Sequence, residues 1–380
     1  MYDKQKYEQA KRPKNRSLRP VDVNTFPGYG STREKTIVSN FEPLRVGIIG
    51  CGFFATNHLH SWLGIPGAKI VALCDSNPDR LAAASKLVGP DVRTFSKASE
   101  LYATAMCDFV DIITPPSTHH DLVLEAARMG MPAIVQKPMD LTAAGAAEMV
   151  DAMAAAGLPF MVHENFRFQG PIAEVRRLMD TGRIGRPIYG RIVFRTGFDI
   201  YGNQPYLARE KRFVLADVGV HVLDVARFLF GEVERLTCEA SSVKPGIAGE
   251  DMATVLSRHA GGAVSIAECS YASLLPNDSF PQCLVTVEGT GGGIVLGPDY
   301  TLSIRSGDQE EGWNAEPPRL NWAELPWQVV QDSVRATQVH WVDSFRAGRQ
   351  PATSGRDNLK TIKLVEAAYR SIETKATVEL

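Results

Sequence analysis

The sequence predicts an α/β protein, with an N-terminal doubly wound parallel sheet followed by an α+β domain on a mostly antiparallel open sheet. Three observations predict it. From Leu44 to His163, short apolar runs alternate with helical stretches of about ten residues, the rhythm of a parallel sheet covered on both faces. The first apolar run enters a glycine turn that opens a helix. After His163 the apolar runs lengthen, and Gly-rich turns (Gly261-Gly262 and Gly289 to Gly293) separate some of them.

Taken in order, Arg45–Gly50 (RVGIIG) reads as a buried strand and Ala55–Leu63 as the helix after the turn. Lys69–Asp75 is a second strand, and a helix opens at Pro78, whose fixed φ suits a first helical turn. Phe109–Thr114, Pro132–Gln136 and Pro159–His163 continue the strands. Asp121–Met129 and the alanine-rich Thr142–Ala156 are the helices between them. A helix near Pro171–Asp180 precedes strand-like runs at Pro187–Thr196, Leu236–Val243, Met252–Arg258, Ala263–Tyr271, Cys283–Glu288 and Gly293–Leu296. Asp217–Phe230 is an interposed helix, and two helices, near Val329–Ala347 and Gly355–Thr374, end the chain.

Composition bounds the possibilities. The chain has 380 residues, enough for two or three domains of about 100–200 residues each. Residues 1–40 hold nine Lys/Arg and four Asp/Glu and show no periodicity, which reads as a polar arm. The whole chain has a formal net charge of −2, so no nucleic-acid partner is expected. No apolar run reaches the roughly 18 residues of a membrane span, and no secretory signal opens the chain. The six cysteines show no C-x-x-C pair, so we expect buried thiols in a reducing cytoplasm. No His/Cys/Asp cluster has metal-ligand spacing, and no metal is expected.

Three constellations carry chemistry. The turn Gly50-Cys51-Gly52-Phe53-Phe54-Ala55 is G-x-G-x-x-A between a strand and a helix. Its first glycine permits the tight turn, its second lets backbone approach a pyrophosphate, and the small third residue lets helix and strand pack. Asp75 ends the next strand, where a carboxylate receives ribose hydroxyls and repels a 2′-phosphate. NAD is therefore expected over NADP, although Arg80, five residues on, softens that preference. The second constellation lies at later strand ends, where doubly wound sheets bind ligands. It comprises Thr114-Pro115-Pro116 with His119, and Gln136-Lys137-Pro138. A desolvated lysine beside a positive nicotinamide ring is pushed towards a neutral amine or a ready proton donor. In the third, Asp217 and His221 stand four apart on an expected helix and share a face, with Asp224 three further on. An aspartate beside a histidine fixes the tautomer that acid–base work requires.

Together the segments VGIIGCGFFA (46–55), TPPSTH (114–119), QKP (136–138), ENFRF (164–168), DVGVHVLD (217–224) and VEGTGGGIVL (287–296) resemble the Gfo/Idh/MocA oxidoreductases, which include glucose–fructose oxidoreductase and inositol dehydrogenase. The resemblance implies a Rossmann domain, expected over residues 41–163. It also implies a substrate-binding and oligomerisation domain, expected over 164–380, whose outer sheet face often joins subunits. A homo-oligomer, dimer or tetramer, follows. It further implies NAD(P)-linked chemistry on a sugar or polyol hydroxyl. By that resemblance His221 accepts the hydroxyl proton, Lys137 hydrogen-bonds the reacting oxygen and Asp217 orients the pair. Lys137 as the base remains equally open.

One departure stands out. Gln136 occupies the place of the family's usual glutamate, which contacts cofactor ribose or the lysine, and the change removes a negative charge. Asn165 and Arg167 match a family N-x-R element near cofactor and substrate. The polar, aromatic run 198–212 suits a loop lining a sugar site, with Asp199, Tyr201, Asn203, Tyr206 and Arg212 as candidates beside Arg167. The run PYLAREKRFVLADVGVHVLDVARFLFG is similar to members acting on aldoses, including the branched pentose apiose. An inositol dehydrogenase, a redox-neutral NAD-using glycosidase or isomerase, and a nucleotide-sensing protein are the competing expectations.

Overall fold

In a computed structural model, the chain is described over residues 42–202, 204–276 and 278–380. The expected arm over residues 1–40 and the candidate Asn203 lie outside the described residues.

The first sheet is six-stranded and parallel. Its strands are β1 (Leu44–Ile49), β2 (Ala68–Cys74), β3 (Arg93–Phe95), β4 (Phe109–Ile112), β5 (Ala133–Gln136) and β6 (Phe160–His163), in the order β3-β2-β1-β4-β5-β6. Strand order reverses between β1 and β4, and that switch point opens a crevice at the strands' carboxyl ends. All four residues of β4, β5 and β6 are buried, as helices on both faces require.

The connecting helices are α1 (Ala55–Leu63), α2 (Pro78–Val88), α3 (Ala98–Tyr102), α4 (His119–Arg128) and α5 (Ala143–Ala155). Local chemistry sets their starts. Asn77 caps α2 by accepting from the backbone N–H of Asp79 and Arg80 at 3.0 Å, with Pro78 in the first turn. Thr142 caps α5 through Gly145 N–H. Strand β3 and helix α3 were not expected from sequence. They span three and five residues, too short to display a period.

Helix α6 (Gly170–Asp180) leads into a nine-stranded sheet. Its strands are β7 (Pro187–Arg195), β8 (Val233–Ser241), β9 (Met252–His259), β10 (Val264–Ser270), β11 (Leu284–Gly289), β12 (Gly292–Leu296), β13 (Thr301–Ser306), β14 (Gln309–Asn314) and β15 (Val378–Glu379). Only β7 and β10 pair in parallel; the other neighbours are antiparallel. The alternating burial of β7 and β9 shows one face on a core and one outward. The inner face is covered by α7 (Val220–Phe230), all but one of whose residues are buried, and by α9 (Gly355–Thr374). Strands β13 to β15 also escaped the sequence reading. Strand β14 (QEEGWN) is a polar edge strand with no apolar alternation to betray it.

Helix α8 (Gln328–Arg346) returns to the first sheet. Its Trp341 is fully buried against Phe109 of β4, ring centroids 5.3 Å apart, and Phe109 in turn meets Trp62 of α1. Burying one such aromatic side chain contributes about 1.5–3 kcal/mol, so α8 ties the C-terminal part to the first sheet. All six cysteines are buried free thiols. Among the described residues, no helix is long and apolar enough to cross a membrane.

Candidate active site

The glycine turn has the geometry a dinucleotide needs. Gly50 sits at φ +96°, and a Cβ there would lie 2.6 Å from the Ile113 carbonyl oxygen, so only glycine fits. Ala55 opens α1 with 1% exposure, which keeps helix and strand close. A Cβ on Gly52 would meet no protein atom within 4 Å, so the space it would occupy is open to a ligand. No side chain caps α1; Ala55 N–H and Asn57 N–H donate to the Gly52 and Phe54 carbonyls at 3.1 Å each, and the positive end of the helix faces the turn. Phe53 is exposed at the turn, and Phe54 packs edge-on against His58. Asp75 accepts from Cys51 N–H and Asn77 N–H at 2.7 Å each, which braces the turn against the end of β2. Arg80 is exposed on α2. Thr114, Pro115 and Pro116 form the lip beyond β4, stapled by the Thr118 hydroxyl to Thr114 Oγ1 and the Pro115 carbonyl. An open glycine cradle, an uncapped helix end and a strand-end carboxylate fit NAD.

Lys137 ends β5 and reaches across to the second half of the chain. Its Nζ donates to the Asp217 carbonyl at 2.7 Å and to Asp217 Oδ1 at 2.9 Å. Tyr271 donates its hydroxyl to Asp217 Oδ2 at 3.0 Å. Burial opposes ionisation of Asp217, but the Lys137 ammonium and these hydrogen bonds outweigh it and hold the carboxyl below its ordinary range. Burial and the adjoining carboxylate push the Tyr271 phenol well up, so it remains a donor.

His221 is close by but differently supported. The sequence reading paired it with Asp217 as i and i+4 of one helix. The structure corrects this: residues Leu215–Gly219 form a π-helical turn, and regular α-helix begins only at Val220. The widened turn carries Asp217 to Lys137. His221 Nδ1 is instead hydrogen-bonded to Oε1 of Glu164, the first residue after β6. Glu164 is fully buried and His221 only 5% exposed, and the imidazole stacks on Phe166 with ring centroids 4.0 Å apart. Burial lifts the Glu164 carboxyl to about 7, against the pull of Lys137. Burial and the Lys137 ammonium hold His221 well below the ordinary histidine range, so it is neutral at pH 7. Nδ1 is committed to the bond with Glu164, which leaves Nε2 as the ring nitrogen open to a reacting group.

Several candidates are engaged elsewhere. Arg167 is buried in a fork with Asp224 (2.6 and 2.5 Å), with Asp357 at 3.1 Å and the Ala352 carbonyl as further partners. These partners engage the guanidinium, so Arg167 fastens α7 to α9. Asn165 is 4% exposed and donates its Nδ2 to Ser333 of α8 at 2.7 Å. His119 is fully buried between the Thr114 and Pro138 carbonyls, 2.9 Å from each, and staples two strand-end loops without touching the cleft. Gln136 also turns inward, to Lys137 N–H and His58.

Among the described residues of 198–212 the only regular element is the 3-10 turn Pro205–Arg209. Asp199 accepts from Tyr201 N–H, the Tyr201 ring faces Lys244, and Arg212 stacks on Tyr369 beside Glu373. Arg212 lines a cavity of about 410 Å³ that excludes Lys137, Asp217 and His221. Tyr206 is half exposed and donates its hydroxyl to Gln204 Oε1 at 2.9 Å; burial and then the Asp217 carboxylate push its phenol up to about 12.

Sequence reading gave no role to Glu164, Tyr271, His58 or Asp111. Glu164 alone left a usable signal, an acid directly after a short, largely apolar strand.

A parallel sheet with this strand order, a glycine cradle at its switch point and a lysine–aspartate–histidine cluster facing it define a nicotinamide-dependent oxidoreductase. The comparisons agree. Residues 44–164 match the oxidoreductase family with an NAD-binding Rossmann fold, and residues 172–295 match the Gfo/Idh/MocA C-terminal domain. The chain belongs to the Gfo/Idh/MocA oxidoreductases. It is 50% identical over 333 residues to a D-apiose dehydrogenase of Paraburkholderia graminis, covering 88% of each chain. It is 44% identical to a D-apiose dehydrogenase of Rhizobium rhizogenes, over 90% of this chain and 99% of that one. The crystal structure of an oxidoreductase from Agrobacterium radiobacter in complex with NAD+, L-tartaric acid and magnesium superposes with a TM-score of 0.87 at 44% identity, over 89% of this chain and 98% of that one.

Proposed function

We propose that this chain is an NAD-dependent sugar dehydrogenase that oxidises a hydroxyl of an aldose, with D-apiose or a close analogue as substrate. The chemistry is carried by one observation: a neutral imidazole, oriented by a buried carboxylate, stands beside an ammonium held by Asp217 through two of its three donors. The narrowing to apiose rests on the two dehydrogenases of that name.

The residues divide the work as follows. Bound NAD supplies the hydride acceptor. Gly50, Gly52 and the start of α1 seat its pyrophosphate, and Asp75 faces the adenosine ribose. His221 Nε2 takes the hydroxyl proton, because its other nitrogen is committed to Glu164. Lys137 spends two donor directions on Asp217 and turns the third to the reacting oxygen, holding it as negative charge develops. This favours Lys137 as donor and His221 as base. Asp217 and Tyr271 fix the ammonium.

A homo-oligomer fits the outer face of the second sheet. There Leu256, Ile266, Arg191, Thr286 and Val295 align across adjacent strands, with Leu256 and Val295 left 48% and 44% exposed.

The test is NADH formation by absorbance with NAD, then NADP, against D-apiose, other pentoses, hexoses, inositols and aldonic acids. The expected result is NAD-dependent turnover of D-apiose, lost in His221→Ala and Lys137→Ala. Turnover of inositols alone, or no turnover with NAD retained through purification, overturns this reading.

A further inference from the structure

Behind Lys137 lies a buried polar chain that the proposed chemistry does not use. Asp111 of β4 is fully buried, and its Oδ2 receives the Trp62 indole N–H and His58 Nδ1, each at 2.8 Å. His58, also fully buried on α1, turns its Nε2 to the Gln136 side-chain nitrogen at 3.1 Å. Gln136 Oε1 accepts the backbone N–H of Lys137 at 2.7 Å. The chain therefore runs from the cofactor-facing helix, through β4, to the peptide that carries Lys137.

Donor and acceptor chemistry fixes every proton in it. A backbone N–H only donates, so the Gln136 atom facing Lys137 N–H is the amide oxygen. The amide nitrogen, a donor, then faces His58, so His58 Nε2 presents a lone pair. The ring proton therefore sits on Nδ1 and is donated to Asp111. A carboxylate at position 136 reverses this: it accepts from Lys137 N–H and presents its second oxygen to His58 Nε2, which must then carry a proton. Asp111, His163 and Gln338 adjoin His58. Asp111 is the anion beside it, the His163 ring lies 4.2 Å away, and Gln338 of α8 meets only its backbone carbonyl. Burial drives His163 itself down to about 3.

We propose that His58 and Asp111 are positioning residues for Lys137, acting through the Gln136 amide, and that this pocket is built for an amide at position 136. The proposal rests on Lys137 serving the reaction as described above. Because Gln136 bonds the backbone of Lys137, a shift of this peptide moves Nζ relative to the bound substrate.

The test uses the full-length enzyme with NAD bound. Imidazole resonances of histidine-labelled protein, assigned by loss in His58→Phe, report the proton count on His58. We expect one proton, on Nδ1, in the wild type at neutral pH, and two in Gln136→Glu. The pH profile of Gln136→Glu should gain a basic-side fall as the extra proton leaves, which the wild type lacks. A 1 Å displacement of a reacting group costs on the order of 100-fold in rate, so His58→Phe should lower kcat by roughly 10- to 100-fold with KM for NAD changed by less than about threefold.

A doubly protonated His58 in the wild type, or an unaltered His58 in Gln136→Glu, overturns the proposal, as does an unchanged kcat in His58→Phe. If either variant fails to fold, the wild-type resonances still decide. Should Lys137→Ala retain activity, the functional reading fails, while the His58 proton count still tests the polar chain.

Discussion

The carboxylate that orients His221 is Glu164, which lies 57 positions away in sequence, and not Asp217, four residues before it. The two acids have separate tasks. Asp217 holds the Lys137 ammonium, and Glu164 sets the imidazole tautomer. The separation accompanies the π-helical turn at Leu215–Gly219, where Asp217 is bonded to Lys137 and not to His221.

Replacing Glu164 by Gln should therefore damage turnover more than binding. An amide can accept from Nδ1–H or donate to Nδ1, so the imidazole is no longer held in one tautomer. Loss of the orienting carboxylate in a serine protease triad costs about 10⁴-fold in kcat; with Lys137 still in place we expect a fall of roughly 10²- to 10³-fold here. Steady-state kinetics should show KM for NAD nearly unchanged. A kcat within a few-fold of wild type would show that the tautomer needs no acidic partner.

The pH profile carries the same pair in a second form. Burial raises Glu164 to about 7, so as pH falls through that value the pair takes up a proton and Nδ1–H loses its anionic acceptor. The wild-type kcat/KM should fall on the acid side with a one-proton limb near 7, and Glu164→Gln should lack that limb. Stability moves the other way. A carboxyl raised from 4.5 in the unfolded chain to about 7 in the folded one favours the fold below 4.5, and this contribution is lost as pH rises to 7. Thermal midpoints of wild type and Glu164→Gln, compared from pH 4.5 to 7.5, should show the wild type losing ground as pH rises.

Arg167 is expected to act on stability and not on cofactor binding. Its guanidinium pairs with Asp224 in two short bonds and with Asp357 in a buried setting. Removing one partner of such a pair leaves an uncompensated buried charge, at about 3–5 kcal/mol. Lysine keeps the charge but loses the fork, so Arg167→Lys should cost about 1–3 kcal/mol in urea unfolding. Its Kd for NAD should match the wild type; a loss of NAD affinity with stability intact would return Arg167 to the cofactor cleft.

What was legible in the sequence follows from where the signal is local. The glycine turn, the five longer strands of the first sheet and Lys137 at the end of β5 all rest on patterns within ten residues of each other, and the structure has them at those places. Pairings across the chain were not legible. Arg167 with Asp224 and Glu164 with His221 each span 57 positions, and nothing in either segment reports its partner. The pairing of Asp217 with His221 failed for another reason: an i, i+4 rule assumes an α-helical period, and a π turn breaks it. Strands β3, β14 and β15 were lost because short or polar edge strands carry little apolar periodicity.

The two glycines of the dinucleotide turn should separate folding from binding. At Gly50 a methyl group would face the Ile113 carbonyl at 2.6 Å from a residue at φ +96°, a clash with backbone and a strained conformation together. Such strain costs on the order of 1–3 kcal/mol before the clash is counted, so Gly50→Ala should lower Tm of the NAD-free protein by several degrees or more. At Gly52 the added methyl meets no protein atom within 4 Å, and the backbone needs no positive φ. Gly52→Ala should therefore melt within a degree or two of wild type when NAD is absent. The methyl instead occupies the space through which a pyrophosphate approaches the backbone. Kd for NAD should rise by about 10-fold or more, equal to about 1.4 kcal/mol or more of binding free energy, and the extra Tm that saturating NAD gives the wild type should shrink in step. Melting curves of both variants with and without NAD, beside titrations of NAD, check both halves at once. A Gly52→Ala protein that binds NAD like the wild type would place the pyrophosphate elsewhere in the cleft.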